Sequence, residues 1–469
     1  MKRQPTLLES ISTIVVMMFV VCIGFIVFEI PVQPLLIISA AYASWIAWRV
    51  GLRWEDLEEG ITDRLSTAMP AIFIILSVGI IVGSWMYSGT VPALIYYGLK
   101  FLSPNYFLVS AFLISAICSV ATGTAWGSAS TAGIALMAIG LQMDIPAGMA
   151  AGAIISGAVF GDKMSPLSDT TNLAALVTRV NIFSHIRHMV YTTVPASIIG
   201  LMIWHFASRG FGANVSTKNI QTMLKDIESM YHIGFFVWVP MIVIIVCLLM
   251  KISTVPSMLI SSVSAILVGW LVNGFALKDG FIATFDGFTS DMMGNRIQGV
   301  SDKALSLVEQ GGIMSMTQII VTIFCGYAFA GIVEKAGCLD VLLHSIAKNI
   351  KTQGQLILAT VIGGLIMVLA AGVASVVIIM VGILLMEMYD KMNLDRVNLS
   401  RTLEDAGTMV IPLIPWGTSG IYYSQQLGVG VGSFFLWAIP CYICLMIAIF
   451  YGFTGIGIKK KDKTVQATK

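Results

Sequence analysis

The feature that most limits how this chain can fold is its supply of long apolar runs. Roughly a dozen segments approach the ~20 residues an α-helix needs to cross a hydrocarbon core. The first is Ile11–Ile30 and the last is Gly430–Phe453. A single water-soluble core does not absorb that many. Hydrophobic residues fill 57% of the 469 positions and charged residues only 11%, whereas ordinary soluble domains are about 25% charged. The mean hydropathy of +0.88 agrees. The expected fold class is therefore all-α: a polytopic membrane protein with about 10–13 transmembrane helices embedded in the lipid bilayer.

Lys2 and Arg3 precede the first run as in a signal peptide. The run is too long for a cleaved h-region and no clear small-x-small site follows, so it reads as the first membrane helix. Two spans, Ala147–Phe160 and Ser375–Met388, are short for a full crossing. Short spans interrupted by Gly and Pro are the sequence mark of discontinuous helices. The polar stretch Gly51–Arg64, ahead of the span Ala68–Tyr87, reads as an amphipathic surface helix. A polar connection over 209–231 separates a first membrane half, 1–208, from a second, 232–455, and a basic tail fills 456–469. Positive charge gathers at Lys2 and Arg3, at Arg49, Arg53 and Arg64, and at Lys459, Lys460, Lys461 and Lys463. By the positive-inside rule both termini are expected in the cytoplasm.

Composition also excludes classes of function. A net charge of +2 with no basic stripe gives nucleic acid nothing to bind. Cys441 and Cys444 form a C-x-x-C without a second pair, and packing residues are the plain reading. No HExxH, Walker A or GxSxG pattern occurs, which disfavours a hydrolase or an ATP-driven pump. The expectation is a transporter, not an enzyme, with no cofactor.

The densest chemistry lies in GDKMSPLSDTTN, residues 161–172, between two apolar helices. It holds Asp162, Lys163, Ser165, Ser168, Asp169 and Thr170, with Pro166 removing a backbone donor. Irregular chain at membrane depth must line a cavity or be buried in protein, and ionisable groups there are functional by default. Carboxylates, hydroxyls and freed carbonyls are the ligands that a small hard cation prefers. The alternative is a polar loop outside the membrane, with Ser168 or Asp169 capping the next helix. The preceding ATGTAWGSASTAG, 121–133, offers Thr124, Ser128 and Thr131, and its Gly123 and Gly127 would let the chain turn back as a hairpin. Close helix packing through small residues is its competing explanation.

The second half echoes this arrangement in AAGVASVVIIMVG, 370–382, and in a broken helix over 403–420. The latter holds Glu404, Asp405, Pro412, Pro415, Trp416, Thr418 and Ser419. Glu404 reads as an interface residue, Asp405 as the better inward carboxylate, and Trp416 as an anchor or a gate. Glu29, Glu334, Lys335 and Glu387 lie near span ends, where snorkelling suffices. His185 and His188 accompany Arg179 and Arg187 in what reads as a cytoplasmic basic patch.

The strings GTAWGSASTAG and GDKMSPLSDTTNLA, with the later PLIPWGTSG, resemble the NhaC family of sodium–proton antiporters. That resemblance implies two inverted repeats with discontinuous helices, re-entrant hairpins and a moving transport unit. It also implies exchange of Na⁺, with Li⁺ as a second candidate, for H⁺ across a bacterial inner membrane, and some relatives exchange malate for lactate. Carried over by position, it marks Asp162, Ser165, Ser168, Asp169 and Thr170 as ion-site residues, with Asp405, Thr418 and Ser419 from the second half. Na⁺ would bind at Asp162 and Asp169, completed by hydroxyls and freed carbonyls. Such a site must still take up protons well above the ~4 at which an exposed aspartate titrates. Which of the two aspartates takes the proton is open at this stage. The sequence says nothing of assembly, with a homodimer the state to test.

Overall fold

The computed structural model describes residues 3–209, 217–250, 252–347 and 350–461. Lys2, residues 210–216 of the polar connection, and the tail from 462, including Lys463, lie outside the described residues. Helices α1 Leu7–Ile26, α2 Val32–Arg49, α3 Trp54–Tyr87, α4 Thr90–Phe101 and α5 Phe107–Thr122 come first. They are followed by α6 Ala125–Ser128, α7 Ile134–Gln142, α8 Ala147–Lys163, α9 Asp169–Thr178 and α10 Ile182–Ala207. Past the connection run α11 Thr217–Met230, α12 Val239–Leu249, α13 Thr254–Leu271, α14 Leu277–Phe285, α15 Asp302–Val308, α16 Thr317–Lys335 and α17 Cys338–Ala347. The last are α18 Gln353–Ala371, α19 Ala374–Val376, α20 Gly382–Lys391, α21 Val397–Ala406, α22 Thr418–Gln426, α23 Val431–Phe434 and α24 Ile439–Thr454. Among the described residues the one β feature is an isolated bridge between Leu394 and Lys460.

Among the described residues, five helices are long and apolar enough to cross a membrane, or seven if each of two bent pairs is one span. The bends are 102° between α4 and α5 and 93° between α11 and α12. Three shorter apolar helices accompany them. This is fewer uninterrupted spans than the apolar runs suggest, because several runs are broken inside. The protein is a multi-pass, all-helical membrane protein.

Helix α3 differs from expectation. Gly51–Arg64 is not a separate surface helix: from Trp54 onward it is the start of a continuous 34-residue helix with Pro70 inside. No Pro interrupts the chain between Trp54 and Met69, and Gly60 is tolerated because it lies against Gly331 of α16. The Glu59–Lys335 pair at 2.8 Å and the Arg64–Glu334 pair at 3.4 Å fasten this extension to α16. The ion pairs also give Glu334 and Lys335 partners at their helix end.

One backbone motif occurs twice. Helix α5 ends at Gly123 (φ 69°, ψ 23°), Thr124 is extended, and α6, a π-helical turn Ala129–Gly133 and α7 follow. Helix α18 ends at Gly372 (φ 66°, ψ 17°), Val373 is extended, and α19, a π-helical turn Val377–Val381 and α20 follow. Both glycines are left-handed, a conformation open to Gly without Cβ strain. The register continues at the same offset: Pro166 matches Pro415, and α9 begins at Asp169 where α22 begins at Thr418. Asp162 and Asp169 therefore correspond to Ile411 and Thr418, not to Glu404 and Asp405. Within the first copy, α8 lies tight on α5: a Cβ at Gly161 would run into the Ala116 carbonyl. Small residues there serve packing, as the competing reading of such stretches holds.

Candidate functional site

The two copies of the motif meet at a cavity of about 320 Å³. Its wall takes Gly123, Thr124 and Trp126 from one bend and Val373, Ala374 and Ser375 from the other. Asp162, Ser168, Asp169 and Thr170 come from the α8–α9 break, Thr408, Thr418 and Ser419 from the α21–α22 break, and Thr67, Pro70 and Tyr327 from α3 and α16. Most of the polar residues picked out in sequence thus converge on one space.

The α8–α9 break is built from its own side chains. Helix α8 stops at Lys163, and Pro166 cannot donate to a helix interior. Ser168 then caps α9, accepting from the Thr171 N–H. The carbonyls that this break frees are taken up locally. The Thr171 hydroxyl donates to the Lys163 carbonyl at 3.1 Å, and Asn172 Nδ2 to the Pro166 carbonyl at 2.8 Å. Two of the carbonyls expected to be free for an ion shell, those of Lys163 and Pro166, thus already accept from side-chain donors. Ser165 is likewise no wall residue. It is buried, and its hydroxyl donates to the Val120 carbonyl at 2.9 Å, tying the break to α5. Ser128 and Thr131 close backbone carbonyls too, those of Ser115 at 2.9 Å and Gly127 at 2.8 Å. They hold the hairpin rather than face the cavity.

Asp162 is partly accessible on the wall, with the Ser168 hydroxyl and the Ala125 N–H among its polar neighbours. Ala125 opens α6, so this N–H belongs to the hairpin's own helix start. Asp169 is exposed and lies at the first position of α9. Opposite, the Thr418 hydroxyl donates to the Gly372 carbonyl at 3.2 Å, and Ser419 Oγ accepts from Trp126 Nε1 at 3.2 Å. Trp126 stacks on Tyr422 at 4.9 Å between centroids, and Tyr422 Oη donates to the Trp126 carbonyl at 2.7 Å. This stack binds the first bend directly to α22.

Asp405 does not line the cavity. It is fully buried in an ion pair with Lys163, itself fully buried. Thr192 Oγ1 and Cys444 Sγ donate to the same carboxylate oxygen at 3.1 and 3.0 Å. Removing one partner of such a pair leaves an uncompensated charge, at a cost of about 3–5 kcal/mol. Lys163 is thus turned away from Asp162 and toward the second half. Cys444 of the C-x-x-C packs on this pair at 3.5 Å from Lys163 Nζ.

Three further readings change. Glu404 is not at an interface: it is fully buried, as is every residue of α21. Trp416 is neither anchor nor gate but buried, its Nε1 donating to the Leu369 carbonyl at 2.8 Å. His185 and His188 are buried on α10, with His188 Nε2 3.1 Å from Asn398 Oδ1. Thr408, Ser375 and Tyr327 escaped the sequence reading, each being an ordinary residue in an apolar run. Glu404 lies in a charged stretch, NLSRTLED, that follows the equally polar DKMNLDR, so nothing in the sequence marked it as buried. Among the described residues no group of three His, Cys, Asp or Glu side chains is arranged to hold a metal ion. An alkali-ion site here would combine few carboxylates with hydroxyls.

Comparison with known proteins adds relatives to this geometry. The family model described as "Na+/H+ antiporter family" matches residues 157–456, a stretch that includes both helix breaks. A Haemophilus influenzae protein bearing the name uncharacterized Na⁺/H⁺ antiporter is 36% identical over 98% of each chain. The Na⁺/H⁺ antiporter NhaC of Alkalihalophilus pseudofirmus is 34% identical, also over 98% of each. The malate-2H⁺/Na⁺-lactate antiporter of Bacillus subtilis is 34% identical over 100% of this chain and 99% of its own.

Proposed function

This chain belongs to the Na⁺/H⁺ antiporter family, and from that membership together with the cavity we propose that it exchanges Na⁺ for H⁺ by alternating access. It is a transporter, not an enzyme, and its setting is the bacterial plasma membrane with both termini in the cytoplasm. The observation that carries this reading is Asp162, a carboxylate on the wall of a cavity lined by both hairpin bends. Antiport requires one site that holds either cation but not both. An ionised Asp162 holds Na⁺ with hydroxyls of Ser168, Thr170, Thr124, Thr418 and Ser419 around it; a protonated Asp162 is neutral and releases it. Asp169, exposed beside it, supplies negative potential at the entrance.

The test is Na⁺-driven proton movement in proteoliposomes, read with a pH-sensitive dye, without any organic acid. Wild-type protein collapses an imposed pH gradient on addition of NaCl. Asp162→Asn responds no better than empty liposomes. A full response from that variant would remove the site assignment.

A second reading has its own observation. Arg64 lies one turn before Thr67 on α3, over the ring of cavity residue Tyr327 at 6.0 Å, and its Nε and Nη2 are buried without a hydrogen-bond partner. A guanidinium with open donors suits an organic carboxylate, the chemistry named for the B. subtilis relative. If proton movement needs malate and lactate on opposite sides, and Arg64→Gln abolishes that acid-dependent movement, organic-anion exchange replaces plain antiport.

A further inference from the structure

A second cavity, of about 540 Å³, shares no lining residue with the Asp162 site. It forms where the two bent helix pairs come together. Helix α4 supplies Tyr96, Tyr97 and Lys100, α11 supplies Glu228, and His232, Phe236 and Arg296 come from segments further along the chain. Helices turned by 102° and 93° from their apolar partners run along the membrane surface, not across it. The aromatic residues agree with that depth. Phe101, Phe235 and Phe236 are exposed, Tyr97 stacks on Phe101 at 6.2 Å, and Tyr97 packs on Trp238 at 5.5 Å. Aromatic belts of this kind sit at the level of the lipid headgroups. The lining also carries both signs of charge. Lys100 Nζ lies 5.8 Å over the Tyr96 ring, and Arg296 is held by the Phe275 ring at 5.2 Å and by the Met230 carbonyl at 3.3 Å. Among the described residues, neither cation pairs with a carboxylate. Tyr96 Oη donates to Glu228 Oε1 at 2.5 Å, which fixes this carboxylate at the cavity without neutralising it.

We propose that this cavity binds a zwitterionic phospholipid headgroup, one that joins a phosphodiester to a primary ammonium. Lys100 and Arg296 take the phosphate oxygens through charge-assisted hydrogen bonds, with exposed His232 as a further donor. Glu228 and the Tyr97 ring take the ammonium. A ligand with a single charge would set like charges against each other, either at Glu228 or at Lys100 and Arg296. A ligand with both charges satisfies all of them. The acyl chains run past the exposed Phe101, Phe235 and Phe236 into the bilayer. A cavity of this size accommodates such a headgroup, and basic pockets between membrane helices are suited to lipid phosphates. The bound lipid bridges α4 of the first membrane half to α11 of the polar connection, away from the ion site.

The experiment is native mass spectrometry of the full-length protein in detergent, titrated with dioleoyl-phosphatidylethanolamine and separately with dioleoyl-phosphatidylglycerol, whose headgroup lacks the ammonium. Wild-type protein binds the ethanolamine lipid about ten-fold more tightly, the effect of one charge-assisted contact. Lys100→Gln weakens binding of both lipids about ten-fold. Glu228→Gln, which keeps an acceptor for Tyr96, loses the preference for the ethanolamine lipid and still binds the glycerol one. Both side chains are exposed, so neither substitution opens the core. Glycerophosphoethanolamine, the same headgroup without acyl chains, does not displace the lipid at equal concentration. Equal wild-type affinity for the two lipids, which needs no variant to measure, overturns the proposal and makes the bound lipid part of the general annulus. Unchanged lipid binding in both variants overturns it as well. Displacement by glycerophosphoethanolamine at equal concentration would replace the lipid with a water-soluble ligand.

Discussion

The two helix-bend motifs share a backbone and divide the chemistry. Gly123 and Gly372 have nearly the same left-handed torsions, and each leads through an extended residue into a short helix and a π turn. The side chains at matched places differ. Thr124 stands where the second copy has Val373, Asp162 where it has Ile411, Lys163 where it has Pro412, and Asp169 where it has Thr418. Backbone conformation follows from Gly and Pro positions that both copies keep, while the capping hydroxyls Thr124 and Ser168 and the ion chemistry depend on side chains that only one copy has. The second copy sends its carboxylates from a different place, α21, beneath the wall rather than on it. The comparison shows how a duplicated scaffold can give an asymmetric site.

The largest effect should come from the position that differs most in charge. Asp162→Asn abolishes Na⁺-driven proton movement in proteoliposomes, while Ile411→Val, its counterpart on the same cavity, keeps wild-type transport. Loss of transport in both variants would mean that the division of labour is wrong.

Next comes the ion pair that joins the copies. Lys163→Met strands the Asp405 charge and lowers stability by about 3–5 kcal/mol, whereas Lys163→Met with Asp405→Leu recovers most of that loss. Thermal unfolding in detergent measures both. A double variant no more stable than the single one would show that the pair matters through something other than its charges.

The glycines sharpen the backbone half of the comparison. A Cβ at Gly123 would sit 2.5 Å from Leu167 Cβ, whereas at Gly372 the nearest atom, the Trp416 carbonyl oxygen, is 3.4 Å away. Both substitutions to Ala incur a left-handed strain of about 1–2 kcal/mol. Gly123→Ala adds overpacking of about 1–3 kcal/mol. Equal melting shifts for the two would indicate that the contact between the Gly123 bend and Leu167 of the α8–α9 break gives way freely.

The smallest effect lies at the end of α20. Arg396 donates to Asp390 at 2.6 and 3.1 Å, with Lys461 at 2.7 Å, and holds its carboxyl down at about 2. The matched position in the first copy is Leu141. A folded value below the unfolded ~4 contributes stability above that pH, and the contribution fades as pH falls toward 2. Asp390→Asn therefore costs about 1 kcal/mol at neutral pH and nothing below about pH 2. A pH-independent difference in unfolding free energy would assign the effect to packing instead.

Much of this was legible from the chain alone. Apolar runs near membrane length settled the class, because lipid leaves the backbone few alternatives. Pro166, Pro415 and Gly123 marked breaks, since Gly and Pro act locally, whereas Gly372 passed as one more small residue of 370–382. The polar stretch between apolar flanks identified Asp162, Ser168, Asp169 and Thr170 as neighbours of one cavity. Glu404 was misplaced, and Asp405 and Lys163 were not recognised as a pair, because 242 residues separate the latter two. Ser165, Ser128 and Thr131 look like ion ligands in sequence, yet a hydroxyl can serve a ligand or a backbone carbonyl equally well, and only packing chooses.

The sequence by itself thus determined that the chain is helical and membrane-embedded, where its helices break, and which short segment concentrates charge. Those properties arise from composition, local torsional preference and hydrophobicity, which each residue carries wherever the chain goes. The tertiary structure alone decided which carboxylate meets the cavity, which is neutralised by Lys163, and which is left without a partner. Electrostatic role depends on distance to charges and donors far away in sequence, and that distance exists only once the helices have packed.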